Sequence, residues 1–293
     1  MKLAITGGSG NIGRRVCREL TDAGHEVWSI DVVAPPSGAQ FRSADLTVLE
    51  ETRKALEGMD QVVHLAAIPN PYADPAERVM SVNMAISYNV FEAARQLGID
   101  RVVYGCSESA TGFGIHEPPL RPEYVPVDET HPCWPHETYS LSKYLGEVIG
   151  EKYSRAFGLQ VLSLRYTWVL FDTFLPQARE MAAAHARGEV PETPWFGAYI
   201  SVGDVARAIR LAVEYQAPEG PLFEAFMLTA GQTMYNLPTL DVLKRIYGDV
   251  PEVAAPEVYE ADPYASVFDL RKARSLLGWT PQDDLTNVDE WDV

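Results

Sequence analysis

The chain has 293 residues, and 46% of them are hydrophobic, which is enough to bury a large core. The formal net charge of −17 would repel phosphate backbones and anionic membranes, so we expect neither nucleic acid nor a membrane as a partner. Three widely spaced cysteines (Cys17, Cys106 and Cys133) and six histidines without ligand spacing predict no disulfide framework and no metal site. With no membrane span or leader pattern, we expect a cytoplasmic location.

Short apolar runs alternate with helical stretches in the first half of the chain, which is typical of parallel strands joined by crossover helices. Strands are predicted near residues 2–6, 26–31, 61–65, 101–105 and 160–166. Helices are predicted at 11–23, 47–57, 75–97 and 137–157. The sequence therefore predicts an α/β fold with a doubly wound parallel sheet.

The alternation ends near Arg165, and prolines then separate mixed helices and short strands. We predict a main domain over residues 1–166 and a smaller C-terminal lobe over 167–293, with 199–215 and part of the C-terminal region returning to the main domain. The proline-rich loop 113–136 is long for a connection and is a candidate lid or pocket wall. The acidic chain end, DDLTNVDEWDV, is predicted to be a mobile tail.

Three glycines, Gly7, Gly10 and Gly13, separate the first predicted strand from the first predicted helix in LAITGGSGNIG. Glycine allows a tight turn there and lets backbone N–H groups approach a pyrophosphate, whose charge the helix N-terminus favours. The turn, which includes Asn11 and Ile12, therefore predicts a dinucleotide-binding site.

The second predicted strand ends at Asp31, where a carboxylate can accept hydrogen bonds from the adenosine ribose. This carboxylate would repel a 2′-phosphate and so favours NAD over NADP, unless Arg14 and Arg15 offset its charge. A solvated helix face explains these two arginines equally well. Asp45 and Leu46 are candidates for adenine contact, although Asp45 also fits the capping region of the next helix.

Tyr139 and Lys143 are four residues apart at the start of a predicted helix, so their side chains share one face. A neighbouring ammonium favours the ionised phenol and lowers its pKa from the usual value of about 10. Tyr139 would then be a usable proton carrier near neutral pH. A half-buried tyrosine beside a solvated lysine is the alternative interpretation.

The glycine turn, ADLT, VVHLAA, VNMAISYNVFEAAR, YSLSK and FDLRKARSLLGWTP together make the chain resemble the extended short-chain dehydrogenase/reductase family over about residues 1–281. The resemblance implies a Rossmann-type domain with a small substrate lobe, NAD as cofactor, and a catalytic serine, tyrosine and lysine. Tyr139 and Lys143 match the last two. An ungapped match places the serine at Ser107 and a shifted match at Ser109; we prefer Ser107 because it needs no insertion.

The family pattern also implies that Leu65, Ala66 and Ala67 line the nicotinamide side, and that the backbone of Val169 approaches the carboxamide. Asn83 is expected to brace the site from within its helix. Substrate contacts are expected from Ser107, Glu108, Ser109, Trp168 and Arg179, the last as a carboxylate clamp.

Departures from the family pattern reduce the number of reactions that this chain is expected to catalyse. Dehydratases of the family carry Asp-Glu where this chain has Glu108 and Ser109, and nucleotide-sugar epimerases carry an asparagine where it has Trp168. The segment 166–198 is short for a nucleotide pocket. The chain is therefore expected to be nearest to small dehydrogenases of sugars or sugar acids, such as uronate dehydrogenase. A nucleotide-sugar epimerase is the alternative, and a non-catalytic NAD(H)-sensing protein is an alternative of another class.

Predicted helices 75–97 and 137–157 resemble the pair through which family members form homodimers. Apolar residues at helical spacing on the first of them serve either that interface or the core: Val79, Val82, Ile86 and Val90. We expect a homodimer that acts on a small molecule.

Overall fold

The computed structural model describes residues 1–35, 40–113, 120–191 and 196–292. The strands are β1 (Lys2–Thr6), β2 (Glu26–Asp31), β3 (Gln40–Ser43), β4 (Gln61–His64), β5 (Arg101–Gly105), β6 (Tyr124–Val125), β7 (Gln160–Tyr166), β8 (Trp168–Leu170), β9 (Tyr199–Ser201), β10 (Leu222–Leu228) and β11 (Glu252–Val253). The α-helices are α1 (Asn11–Asp22), α2 (Leu49–Leu56), α3 (Ala76–Leu97), α4 (Thr138–Phe157), α5 (Leu175–Ala186), α6 (Val202–Glu214), α7 (Thr239–Tyr247) and α8 (Pro256–Ala261). None of the helices in these ranges has both the length and the apolar character needed to cross a bilayer.

Seven parallel strands form the central sheet, in the order β10-β7-β5-β4-β1-β2-β3. Ile5 of β1 pairs with Ser29 of β2 on one side and with Val63 of β4 on the other. From β1 the chain first crosses to β2 and β3, and it later crosses in the opposite direction to β5 and β7. This order confirms the predicted doubly wound parallel sheet, and it opens a crevice at the carboxyl ends of β1 and β4.

Helices cover both faces of the sheet because side chains alternate between the faces along each strand. Leu3 and Ile5 of β1 belong to a core shared with α1 and α6. Ala4, between them, belongs to a second core shared with α2, α3 and α4. All residues of the central strand β5 are buried. The strand ends that border the crevice are therefore packed against helices on both faces of the sheet.

Two further apolar clusters lie beside the sheet and are built from the segment around β6 and from the chain beyond β7. β6 pairs with β11, and β8 pairs with β9, in two small parallel sheets. One cluster joins Val125 of β6 to Leu243 of α7 and Tyr259 of α8. The other joins Ala178 of α5 to Tyr199 of β9 and to the chain end. α6 and β10 return to the main sheet as a covering helix and an edge strand.

The acidic chain end packs against the rest of the protein, so the prediction of a mobile tail is wrong. Its buried side chains are Asp283, Leu285, Val288 and Trp291. The Trp291 ring stacks on Tyr199 with 6.4 Å between the ring centroids. Asp292 accepts a hydrogen bond from Arg15 of α1 at 2.7 Å. The acidic composition concealed the few apolar side chains that hold this segment in place.

We expect Trp291→Ala to lower the melting temperature, because it removes a buried ring that packs on Tyr199. Loss of a buried aromatic side chain costs about 3–5 kcal/mol of unfolding free energy. Each kcal/mol corresponds to about 2–4 °C for a domain of roughly 150–250 residues. Thermal unfolding followed by circular dichroism measures the shift. Glu290→Ala is the control, because Glu290 is exposed; equal melting temperatures of the two variants would contradict the packed chain end.

Candidate active site

The crevice at the carboxyl ends of the strands opens into a cavity of about 1680 Å³. Its walls include the turn after β1, the loop after β4, the 3₁₀ turn after β5 and the first turns of α4. All sequence-predicted site residues except Arg179 line it, namely Gly7, Gly10, Asn11, Ile12, Gly13, Asp31, Asp45, Leu46, Leu65, Ala66, Ala67, Ser107, Glu108, Ser109, Tyr139, Lys143, Trp168 and Val169. The fold therefore gathers residues from distant parts of the sequence in one place.

The glycine turn makes backbone contacts that leave no space for side chains. Gly7 has a φ of 70°, and a Cβ atom on it would lie 2.8 Å from the backbone nitrogen of Ala66. A Cβ atom on Gly13 would overlap the carbonyl oxygen of Gly7. α1 begins at Asn11, directly after the turn, and no side chain caps it. The turn and the first N–H groups of α1 therefore fit the pyrophosphate of NAD.

Asp31 lines the cavity and braces the glycine turn. Its carboxylate accepts hydrogen bonds from the backbone N–H groups of Val32 at 2.8 Å and Ser9 at 3.2 Å. The two neighbouring arginines are paired with other carboxylates, each at 2.7 Å: Arg14 with Asp172 and Arg15 with Asp292. Since neither arginine is free to offset the charge of Asp31, its carboxylate suits the ribose of NAD and opposes a 2′-phosphate.

Asp45 forms a tight turn ahead of α2. Its carboxylate accepts the backbone N–H of Thr47 at 2.9 Å and the Thr47 hydroxyl at 2.7 Å, and these bonds lower the pKa of Asp45. α2 begins at Leu49 and its N-cap is Val48. Asp45 is therefore not the N-cap, and its place on the cavity wall is compatible with contact to adenine.

Tyr139 lies in the first turn of α4. Glu137 caps this helix and accepts the backbone N–H of Tyr139 at 2.6 Å. The Tyr139 side chain is buried. Burial raises the pKa of Tyr139 well above its usual value, and the nearby Ser107 hydroxyl opposes this only in part. The predicted lowering of the phenol pKa is therefore wrong, because removing the phenolate from water outweighs the nearby favourable contacts.

Lys143 lies one helical turn after Tyr139. Its Nζ atom donates a hydrogen bond to the carbonyl oxygen of Gly105 at 2.9 Å. It also lies 5.9 Å from the centroid of the Tyr139 ring. Burial lowers the pKa of Lys143 to about 8. The ammonium can therefore exchange a proton much closer to neutral pH than an exposed lysine can.

Ser107, rather than Ser109, is next to the phenol. Ser107 is the N-cap of the 3₁₀ turn Glu108–Thr111. Ser109 donates a hydrogen bond from its Oγ atom to Ser107 Oγ at 2.8 Å, and Ser107 is the serine close enough to the phenol to lower its pKa. This geometry favours the ungapped match that places the catalytic serine at Ser107.

Two polar side chains hold the loop after β4. Asn83 accepts the backbone N–H of Ile68 at 2.7 Å, in the bracing position that the sequence predicted. Thr6 was not predicted. Its Oγ1 accepts the backbone N–H groups of Leu65 at 3.2 Å and Ala66 at 3.3 Å. The sequence feature that could have predicted this role of Thr6 is a hydroxyl residue at the end of an apolar strand, directly before a glycine turn.

An aromatic wall closes one side of the cavity. It consists of Phe113, Tyr166, Trp168, Phe171 and Phe174. The Phe174 ring lies 5.6 Å from Trp168 and 4.7 Å from Phe171, measured between ring centroids. The sequence predicted Trp168 alone, because contact among the others depends on how the chain beyond β7 folds back. Such a wall fits the apolar face of a ring-shaped ligand.

Arg179 is outside the cavity. It lies on α5, and its Nε atom donates to Asp289 of the chain end at 2.8 Å. Packing of the chain end on α5 therefore gives this guanidinium another partner. The carboxylate clamp that the sequence predicted at Arg179 is not formed.

Glu108 brings a buried carboxyl group to the cavity, beside Ser107. It is 9% exposed. Burial raises the pKa of Glu108 to about 7, and the nearby backbone of Ser109 opposes this in part. Near neutral pH the group therefore exists in both its charged and its neutral form.

Comparison with known proteins agrees with this geometry. The model of the NAD dependent epimerase/dehydratase family matches residues 3–224. The L-arabinose 1-dehydrogenase (NAD(P)(+)) of Haloferax volcanii is 33% identical over 226 residues, covering 75% of this chain and 85% of the relative. A putative UDP-glucose 4-epimerase of Methanocaldococcus jannaschii is 27% identical over 309 residues, covering 97% of this chain and 94% of the relative.

A solved structure supports the fold. A short-chain dehydrogenase/reductase superfamily protein from Agrobacterium tumefaciens with bound NAD superimposes with a TM-score of 0.75 at 20% identity. The match covers 99% of this chain and 95% of that protein. At this identity the likeness concerns the fold alone.

We expect Glu108→Gln to stabilise the protein at about pH 8.5 and to have little effect at about pH 5. A carboxyl with a raised folded-state pKa contributes stability below its unfolded value, and that contribution is lost as pH rises through the folded value near 7. Glutamine has a similar shape without the charge, so the gain at high pH reaches at most about 3 kcal/mol. Melting temperatures of both proteins from about pH 5 to 9 measure it; a difference that does not grow with pH would count against a buried, uncompensated carboxyl.

Proposed function

We propose that this chain, which belongs to the NAD-dependent epimerase/dehydratase family, is a dehydrogenase that oxidises a hydroxyl group of a sugar. It is an enzyme with NAD as its cofactor, and its relatives include a sugar dehydrogenase and UDP-glucose epimerases. The observation that carries the proposal is the meeting of Ser107, Tyr139 and Lys143 beside the cleft that the glycine turn opens.

The proposed reaction removes both hydrogens of a secondary or hemiacetal alcohol group, and NAD supplies the hydride acceptor. In the oxidising direction the phenol of Tyr139 first gives up its own proton to solvent. The O–H proton of the substrate then passes to the phenolate oxygen as hydride leaves the adjacent carbon, so the product is a carbonyl compound. Lys143 lies 5.9 Å from the centroid of the Tyr139 ring, where its ammonium offsets part of the cost that burial imposes on the phenolate.

Ser107 is arranged to hold the reacting oxygen. Because Ser109 already donates to Ser107 Oγ, the remaining hydrogen of Ser107 is available to the phenol or to the substrate. A hydrogen bond to the substrate oxygen would stabilise the charge that develops there. In the reverse direction the buried, protonated Tyr139 is ready to donate its proton to a carbonyl.

A nucleotide-sugar epimerase with tightly bound NAD is the second candidate. The epimerase relative that matches 97% of the chain favours it. Against it stands the short segment between β7 and β9, residues 167–198, which holds α5 and leaves little chain for a nucleotide pocket. An epimerase returns the hydride to the same substrate and gives no net NADH.

The absorbance of NADH distinguishes the two candidates. Protein purified without added nucleotide is mixed with NAD and a panel of free sugars, sugar acids and UDP-sugars. Steady NADH formation with a free sugar supports the dehydrogenase. Co-purified NAD together with interconversion of UDP-sugars and no net NADH would replace it by the epimerase.

We expect Tyr139→Phe to lower kcat by at least about 100-fold while NAD binding is retained, because the variant lacks the proton-accepting oxygen. Steady-state NADH formation measures kcat, and calorimetric titration measures NAD binding. Tyr72→Phe is the control, since Tyr72 is 83% exposed. A Tyr139→Phe variant with normal turnover would remove Tyr139 from the reaction.

We also propose a homodimer that forms through α3 and α4. Tyr88 of α3 and Phe157 of α4 remain exposed and could be covered by a partner. The apolar residues of α3 that the sequence left open face the core or the cavity instead: Val79, Val82, Ile86 and Val90. Light scattering of the purified protein tests the dimer, and a molar mass equal to one chain would contradict it.

A further inference from the structure

Few cations are available to a substrate in the cavity. Among the described residues, the positively charged side chains that line it are Arg78 and Lys143. Arg78 is paired with Asp74 at 3.2 Å, and Lys143 donates to the Gly105 carbonyl. The residues outside the described ranges contain no lysine or arginine. A carboxylate or diphosphate in this cavity would therefore have to compete with Asp74 for Arg78 and with the Gly105 carbonyl for Lys143.

Glu108 has the opposite character. Its side chain lines the cavity beside Ser107, whose Oγ atom accepts the neighbouring Ser109 backbone N–H at 3.2 Å. No cation among the described residues pairs with it. Above its pKa of about 7 the group is a carboxylate, which has about four acceptor sites and no donor. Among the described residues no hydrogen bond to this carboxylate is formed, so these sites are open to a ligand. Hydroxyl groups are the neutral donors that satisfy it, whereas a second carboxylate would be repelled.

We propose that Glu108 is a specificity-determining residue that accepts hydrogen bonds from hydroxyl groups of a neutral, unphosphorylated sugar and excludes sugar acids. This inference rests on the proposed dehydrogenase function and names its substrate class. The aromatic wall, which includes Trp168 and Phe174, covers the apolar face of the sugar ring, while Glu108 binds its hydroxyl edge. The absence of Arg179 from the cavity agrees with a substrate that carries no carboxylate.

Matched pairs of substrates test the proposal, because D-galactose and D-galacturonic acid, like D-glucose and D-glucuronic acid, differ in one carbon that bears either a hydroxyl or a carboxylate. We expect the wild-type kcat/KM for the neutral sugar to exceed that for its acid by about 100-fold or more. In Glu108→Gln we expect the neutral sugar to lose about 10-fold, since a charge-assisted bond becomes a neutral one. The kcat/KM for the sugar acid should rise in this variant. The ratio of kcat/KM for the neutral sugar to that for its acid should therefore fall by at least about 10-fold.

Two further variants control the experiment. Glu108→Asp keeps the charge with a shorter reach, so it should preserve the preference for the neutral sugar at a lower kcat/KM. Glu260→Gln makes the same chemical change at an exposed position of α8 and should leave the ratio unaltered. A wild-type preference for the sugar acids, or an unchanged ratio in Glu108→Gln, would overturn the proposal.

Failure of the proposed dehydrogenase function gives a different result. If no compound yields NADH, the dehydrogenase is wrong, and the same sugar pairs are titrated by calorimetry into the protein loaded with NADH. Tighter binding of the neutral sugar that is weakened in Glu108→Gln still supports the role of Glu108. Equal binding of each pair, or no binding of either member, overturns it.

Discussion

The close approach of two backbone segments, the turn after β1 and the loop after β4, is the constraint on which the site depends. Gly7 permits it, because a Cβ atom there would strike the backbone of Ala66. Thr6 fixes it, because one hydroxyl oxygen accepts the N–H groups of both Leu65 and Ala66. The two segments meet where the strand order of the sheet reverses, between β1 and β4. Their contact therefore fixes both the cleft for a dinucleotide and the position of the nicotinamide end within it.

Burial governs the chemistry at that end of the cleft. It raises the pKa values of Tyr139 and Glu108 and lowers that of Lys143, so all three groups are shifted toward their uncharged forms. In this state Tyr139 can donate a proton to a carbonyl group, and it can accept one from an alcohol only after it has lost its own. The same low polarity makes it costly to bury a charged group of a ligand unless a group of opposite charge is present. Burial therefore bears both on proton transfer and on which substrates can bind.

The distribution of arginines sets the charge of the cavity. The chain has 24 basic residues against 41 acidic ones, so cations are easily neutralised. Arg14 and Arg179 are held by Asp172 and Asp289, both in the C-terminal half. The chain end, which the composition suggested to be a loose acidic tail, pairs with Arg15 through Asp292 and with Arg179 through Asp289. The preference for NAD and the neutral substrate that we propose would both follow from this arrangement of charges.

Local patterns in the sequence determined the glycine turn, the parallel sheet and the face shared by Tyr139 and Lys143, because backbone geometry and helical spacing act over a few residues. The tertiary structure alone decided three other features. The phenol pKa moved in the direction opposite to prediction because burial depends on the whole fold. Arg179 pairs with Asp289 instead of lining the cavity, and Trp291 packs in an apolar cluster. Both contacts join segments that are distant in sequence, so local patterns do not predict them. The spacing of two residues in the sequence does not show how deeply a side chain is buried. Nor does it show which distant carboxylate pairs with a given arginine.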